Sequence, residues 1–314
     1  MHDESRKAIA AAFLANLGIA IAKLVGFVIT GASSMLAESI HSMADTANQG
    51  LLVLGGRQAA RPATPEHPFG YGRDRYFWAF VVAMVLFLVG GLFALYEGVD
   101  KLRNPHEIDS PAVALGILGV ALVLESFSLR TAVHAARPQR GERSWVTYIR
   151  RSKSPELPVV LLEDLGALLG LAFAFLGVTL AVVLDQPRWD GVGTLAIGVL
   201  LVTIAVILVV EMKSLLIGEG ASPEDQRRIR AEIEATPQVR RLIHMRTLHL
   251  GPDELLVAGK IELELDLTVP EIAAAINECE ARIRAAVPIA RVIYLEPDLM
   301  SGATPPPATT PGAG

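Results

Sequence analysis

Residues 34–48 read Ser34-Met-Leu-Ala-Glu38-Ser-Ile-His41-Ser-Met-Ala-Asp45-Thr-Ala-Asn48. Glu38, His41, Asp45 and Asn48 follow one another at steps of three, four and three residues, which on a helix sets all four along one face. The opposite face carries Leu36, Ile40, Met43, Ala47 and Leu51. In lipid such a helix must turn its polar stripe toward protein or water, because a charge at mid-bilayer costs on the order of 3 kcal/mol or more.

Composition says that the surroundings are lipid. Of 314 residues, 52% are hydrophobic and only 19% charged, with positive mean hydropathy, too little polar surface for a soluble chain of this size. Six apolar runs approach the roughly 20 residues that a span needs: Ile9–Thr30, Met35–Leu54, Phe77–Gly98, Ala112–Val133, Pro158–Leu184 and Val192–Leu216. Gly31, Ser33 and Ser34 predict a tight turn between the first two. Five Pro and Gly residues between Gly56 and Arg75 predict a loop before the third. The basic segment Arg137–Pro155 joins the fourth to the fifth, and Asp185–Trp189 the fifth to the sixth.

Charge asymmetry orients the spans. The amino terminus, the second–third and fourth–fifth connections and the adjoining span ends hold 13 Lys/Arg; the other side holds Lys101, Arg103 and Arg188. The positive-inside rule then places both termini in the cytoplasm. No cleavable signal peptide and no Arg/Ser-rich leader opens the chain, so the first run reads as a retained helix and a bacterial inner membrane is the expected location. The lone Cys279 excludes an internal disulfide and a cysteine zinc cluster. Net charge is −5 and no basic nucleic-acid footprint is present.

His41 and Asp45 form an H-x-x-x-D pair, whose imidazole nitrogen and carboxylate oxygen at i, i+4 can point at one ion. Nitrogen and oxygen donors together suit Zn²⁺, Fe²⁺ or Co²⁺. The pair alone fits an interhelical hydrogen bond equally well. The fifth run weighs against that, because Glu163 and Asp164 are adjacent acids in an apolar helix, and a cation shared with the second span would offset their burial. Adjacent residues diverge by about 100°. Asp164 is therefore read as a ligand and Glu163 as either a further ligand or a proton acceptor. Glu125 reads as a gate or an ion-pair partner, Lys23 as paired or snorkelling, and Asp190 as an N-cap of its own helix.

Beyond residue 218 the pattern changes. Ser222–Pro223–Glu224–Asp225 opens a helix over Pro223–Ala235. Val239–Leu250 and Leu255–Leu267 read as strands around Gly251–Glu254, Val269–Ala286 as a helix and Ala290–Leu295 as a strand. The order αββαβ predicts a small α+β domain. Three parts are thus expected: a six-helix membrane domain over 1–217, a cytoplasmic domain over 218–299 and a disordered Pro/Thr/Gly-rich tail over 300–314.

These features together resemble the cation diffusion facilitators. Four segments carry the likeness: Ser34 to Asp45, the loop His67-Pro-Phe-Gly-Tyr-Gly-Arg73, the acid-bearing fifth span, and the αββαβ region ending Tyr294-Leu-Glu-Pro-Asp298. Glu38-Ser-Ile-His-Ser, Arg75-Tyr-Phe-Trp78 and Leu161-Leu-Glu-Asp164 look most like the zinc-transporter-nine-like branch. The resemblance implies a dimeric six-helix transporter with a ferredoxin-like cytoplasmic domain, moving Zn²⁺ or a related divalent ion by alternating access against protons. It implies His41, Asp45 and Asp164 as metal ligands. The family's second fifth-span ligand falls on Val160, so Glu163, Glu38 or water would complete the set. Asn48 and His67 are possible accessory ligands, although Tyr71 stands where the loop's second histidine is often found. The usual histidines of the carboxy-terminal domain correspond to Ile243, Lys260 and Tyr294, leaving Glu296. That domain is therefore expected to dimerise rather than to hold metal.

The expected function is divalent-cation efflux with the ion as cargo and no cofactor. An intramembrane metalloenzyme lacks its H-E-x-x-H motif. A membrane scaffold or metal sensor is the alternative, against which the buried acids weigh.

Overall fold

The computed structural model describes residues 17–299. The start of the expected first span and the whole expected tail over 300–314 lie outside the described residues. The chain divides into two compact units, Met1–Ile217 and Gly218–Gly314.

The first unit is helical: α1 (Leu17–Thr30), α2 (Ser33–Ala59), α3 (Asp74–Arg103), α4 (Pro111–Arg140), a short α5 (Trp145–Arg151), α6 (Glu156–Val183) and α7 (Arg188–Ile217). By length and composition α3, α4, α6 and α7 can each cross a membrane. Helix α2 has 27 residues, or about 40 Å of length. Its back is the more open side, with Met43 and Ala47 exposed, while Glu38, His41 and Asn48 are buried, as the three-four-three spacing requires. Gly31 makes the turn between α1 and α2 in the left-handed region (φ 64°), where its N–H donates to Phe27 O.

The helices overrun the hydropathy boundaries because backbone hydrogen bonding does not stop where apolar sequence does. Helix α2 continues past Leu54 to Ala59, and α4 past Val133 and through Pro138 to Arg140. Within the basic connection that follows α4, Ser144 accepts a hydrogen bond from the Thr147 N–H at 3.1 Å and starts α5. Helix α3 contains a π-helical turn, Leu86–Gly91.

Small residues let α7 approach its neighbours closely. A Cβ on Gly193 would lie 2.8 Å from the Phe173 carbonyl oxygen and 3.2 Å from Gly177 Cα. A Cβ on Gly198 would lie 2.8 Å from Leu95 N. The obstructing atoms at Gly193 are backbone and cannot swing aside. Gly193→Val is expected to cost about 1–3 kcal/mol through overpacking. Thermal melting in detergent checks this, and an unchanged midpoint would contradict the close crossing.

The second unit contains α8 (Pro223–Glu234), β1 (Val239–Gly251), β2 (Glu254–Leu263), α9 (Val269–Ala286) and β3 (Val292–Pro297). Strands β1 and β2 are antiparallel around Pro252–Asp253, and β3 pairs parallel with β2. Ile229 and Ile233 of α8, Cys279 and Ile283 of α9, and Val257, Ile261 and Ile293 of the sheet share one core. Strand β2 ends four residues before the expected Leu267. Val239, the first residue of β1, already pairs with Leu263; one further backbone bond, from the Glu264 N–H to Gln238 O at 3.1 Å, closes the ladder, and Leu265 is exposed.

Candidate metal site

Four levels of buried polar contacts run along α2. At its amino-terminal end Ala32 has no side chain with which to cap the helix. The Asp190 carboxylate does it instead, accepting from the Ser33 N–H at 2.8 Å, the Ser34 N–H at 3.3 Å and the Ser34 hydroxyl. Lys101 Nζ stands 4.0 Å from the same carboxylate. This corrects the expectation that Asp190 caps its own helix: it lies inside α7 and caps α2, 157 residues earlier.

One turn further, Lys23 Nζ lies 3.1 Å from Glu38 Oε2 and 2.7 Å from Ser42 Oγ, with Lys23 and Glu38 fully buried. Lys23 thus pairs and does not snorkel. The third level is His41 and Asp45, Nε2 to Oδ2 at 3.5 Å. Among the described residues, both His41 ring nitrogens and Asp45 Oδ1 are buried without a hydrogen bond, which is the condition of groups open to a further ligand. At the fourth level Asn48 Nδ2 donates to Glu163 Oε1 at 2.8 Å.

The adjacent acids of α6 part company. Glu163 is buried against α2 through Asn48, whereas Asp164 turns toward α4 and accepts from the Ser128 hydroxyl at 3.2 Å. The 100° between neighbouring helix positions accounts for the split. Asp45, Glu163 and Asp164 nevertheless line one narrow cleft with Ser42, Gln49, Val160 and Glu125. Glu125, an acid inside the fourth apolar run, was legible only as a gate or pairing residue; the fold adds it to the same cleft. Among the described residues, no group of three or more His, Cys, Asp or Glu side chains closes to metal-holding geometry. Asp45, Glu163 and Asp164 therefore border a common space without converging on one point, and His41 stands behind Asp45, outside the cleft lining.

The accessory candidates separate. Asn48 belongs to the cleft wall through Glu163, and Glu38 is held by Lys23. His67 is exposed in the α2–α3 connection, its ring tilted by 31° against that of Tyr71 at 4.5 Å between centroids. In the second unit Glu296 pairs with Lys260 at 3.1 Å, and Asp298 with the same lysine at 2.7 Å. His244 is exposed, while His249 is buried with Nδ1 3.3 Å from Gly251 O.

An apolar bundle with an acid-lined internal cleft suits a cation that enters and leaves. Residues 9–217 match the model of the cation efflux transmembrane domain. The chain belongs to the cation efflux family. This is a family of transporters and not of enzymes. Among relatives of this cation efflux chain, the mitochondrial proton-coupled zinc antiporter SLC30A9 of Xenopus laevis is 33% identical over 246 residues, 78% of this chain and 44% of the relative. The human protein of the same name is 32% identical over 246 residues, 78% of this chain and 43% of the relative. The cation-efflux pump FieF of Cronobacter sakazakii is 28% identical over 278 residues, 86% of this chain and 84% of the pump. The match to the zinc-antiporter relatives thus spans less than half of their length.

These relatives support the zinc-transporter-nine-like branch expected from Glu38-Ser-Ile-His-Ser and Leu161-Leu-Glu-Asp164. They overturn the expected bacterial inner membrane, because SLC30A9 relatives from frog, human and mouse are named as mitochondrial. The matched region is less than half of those proteins, so where this chain begins carries no information on targeting.

Proposed function

We propose that this cation efflux protein exchanges a divalent cation, Zn²⁺ by preference, for protons by alternating access, with the ion as cargo and not as a resident cofactor. The observation that carries the reading is the facing of Asp45 on α2, itself 3.5 Å from His41, with the acids of α6 across a narrow cleft. The frog and human relatives, named as proton-coupled zinc antiporters, support both the ion and its coupling. The membrane that fits those relatives is mitochondrial.

Metal binding needs a neutral imidazole and ionised carboxylates, so an arriving ion and protons compete for the same atoms. Asp45, already beside His41, supplies the charged oxygen and His41 the nitrogen; Asp164 is the proposed ligand from α6. Glu163 serves as a further ligand or proton acceptor once it leaves Asn48. Drawing these groups onto one ion requires α6 to shift against α2, and that shift couples binding to the rocking that opens the other face. Protonation of the same groups on the releasing side expels the ion. Exchange at one site accounts for antiport without a separate proton path.

Six spans, with α1 and α2 joining the four long apolar helices, and a ferredoxin-like second unit complete the proposal. So does a homodimer: Leu265, Val269 and Tyr294 are exposed apolar side chains on the second unit and offer surface for another copy. A single-copy mass by light scattering in detergent would refute the dimer.

Reconstitution in liposomes with an internal zinc dye and an imposed pH gradient tests the function. Flux should rise with the gradient and fall on the order of 10- to 100-fold in Asp164→Ala. Flux unaffected by that substitution would place the site elsewhere, and no flux with any divalent metal would restore the scaffold or sensor reading.

A further inference from the structure

Lys23 lies in the middle of the apolar segment Ile19–Ile29 of α1. A lysine in lipid normally extends its stem so that the ammonium reaches water. Here the side chain is fully buried, and Nζ lies on the polar stripe of α2 between Glu38 Oε2 and Ser42 Oγ. Ser42 in turn lines the acidic cleft. The other carboxylate oxygen, Glu38 Oε1, has no hydrogen-bond partner among the described residues. It lies against α6 where Gly170 leaves room for it, since a Cβ there would stand 2.4 Å away.

Fastening α1 to α2 does not by itself call for this pair. Well-packed apolar side chains join helices at least as firmly as a buried ion pair does. What apolar residues cannot do is neutralise Glu38. That carboxylate shares a helix face with His41, three residues away, and with its charge free it would offer oxygens to a second cation one turn from the first.

We infer that Lys23 is a tethered internal cation that occupies Glu38 and so limits the polar stripe to one transported ion at a time. The inference rests on the reading that the His41–Asp45 level takes the transported ion. Lys23 acts through Glu38 and is a positioning residue.

Equilibrium binding of Zn²⁺ alone to the full chain in detergent tests it, with wild type, Lys23→Met, Lys23→Arg and Lys23→Met/Glu38→Gln compared. Lys23→Met is expected to bind one further equivalent per chain. Lys23→Arg, which keeps the charge, and the double variant, which lacks the carboxylate, should not. Sites elsewhere in the chain contribute equally to all four proteins, so the difference carries the result, and a purely structural role for Lys23 would not add an ion. Equal stoichiometry in wild type and Lys23→Met overturns the proposal, as does an extra equivalent that survives in the double variant. Should Lys23→Met not be recovered folded, the double variant decides: it removes both charges together, and loss of an equivalent there would make the pair part of the ion site. In a His41→Ala/Asp45→Ala background the first equivalent should vanish while the Lys23→Met increment persists. This separates failure of the proposed transport site from failure of the Lys23 assignment.

Discussion

Asp45→Asn is expected to lower zinc flux in proteoliposomes by on the order of 100-fold or more, a larger loss than Asp164→Ala. Asp45 stands at two junctions at once. Its Oδ2 lies 3.5 Å from His41 Nε2, and its side chain lines the cleft shared with Glu163, Asp164 and Glu125. The substitution preserves shape and leaves an amide able to hydrogen-bond, so packing of α2 is little disturbed. It removes the charge beside the imidazole. A divalent ion leaving water must recover its lost hydration from charged ligands, and a neutral amide oxygen is a poor replacement at a site of this kind. Asp164 shares its carboxylate with Ser128 and reaches the cleft from α4's side, which is why its loss should cost less. Stopped-flow dye measurements on both variants at matched reconstitution check the order. Wild-type flux in Asp45→Asn would remove the second span from the ion's path.

The largest effect on stability is expected at Asp190. Asp190→Ala leaves the Ser33 and Ser34 N–H groups and the Ser34 hydroxyl without the carboxylate that now receives them. It also takes the negative charge away from Lys101, which is buried at 2% exposure. Removing one member of a buried charge pair typically costs about 3–5 kcal/mol. For a unit of this size that corresponds to a fall in melting temperature on the order of 10 °C. Asp190→Asn keeps an acceptor for one or two of the α2 donors and should lose distinctly less. Pairing it with Lys101→Met, which removes the stranded cation, should restore part of the difference. Melting curves of the purified variants decide it. Asp190→Ala melting with wild type would mean that water caps α2 at no cost.

Periodicity carried the chain's local structure. The three-four-three spacing from Glu38 to Asn48 placed a buried polar stripe on α2, and the exposed Met43 and Ala47 on the far side agree with it. The helix expected at Val269–Ala286 has those same limits, and the turn around Pro252–Asp253 joins β1 to β2 as read. These features depend on neighbours within a few residues, whose geometry the backbone repeat dictates. Element ends were less legible. Alternation of Leu265 and Leu267 continued the strand pattern beyond the point where β1 had residues left to pair with.

The site divides in the same way. That His41, Asp45, Glu163 and Asp164 lie within apolar helices follows from the sequence by itself, since each sits inside a hydrophobic run of spanning length. Which acid of α6 faces α2, which carboxylate Lys23 neutralises and which helix Asp190 caps were decided by tertiary structure alone. Each depends on how far one helix is rotated and how closely it approaches another. Those quantities are set by contacts such as Gly170 under Glu38 and Gly193 against Phe173 and Gly177, between residues far apart in the chain. A helical repeat assigns each side chain an angle about its own axis, but only packing assigns that axis an orientation toward its neighbours.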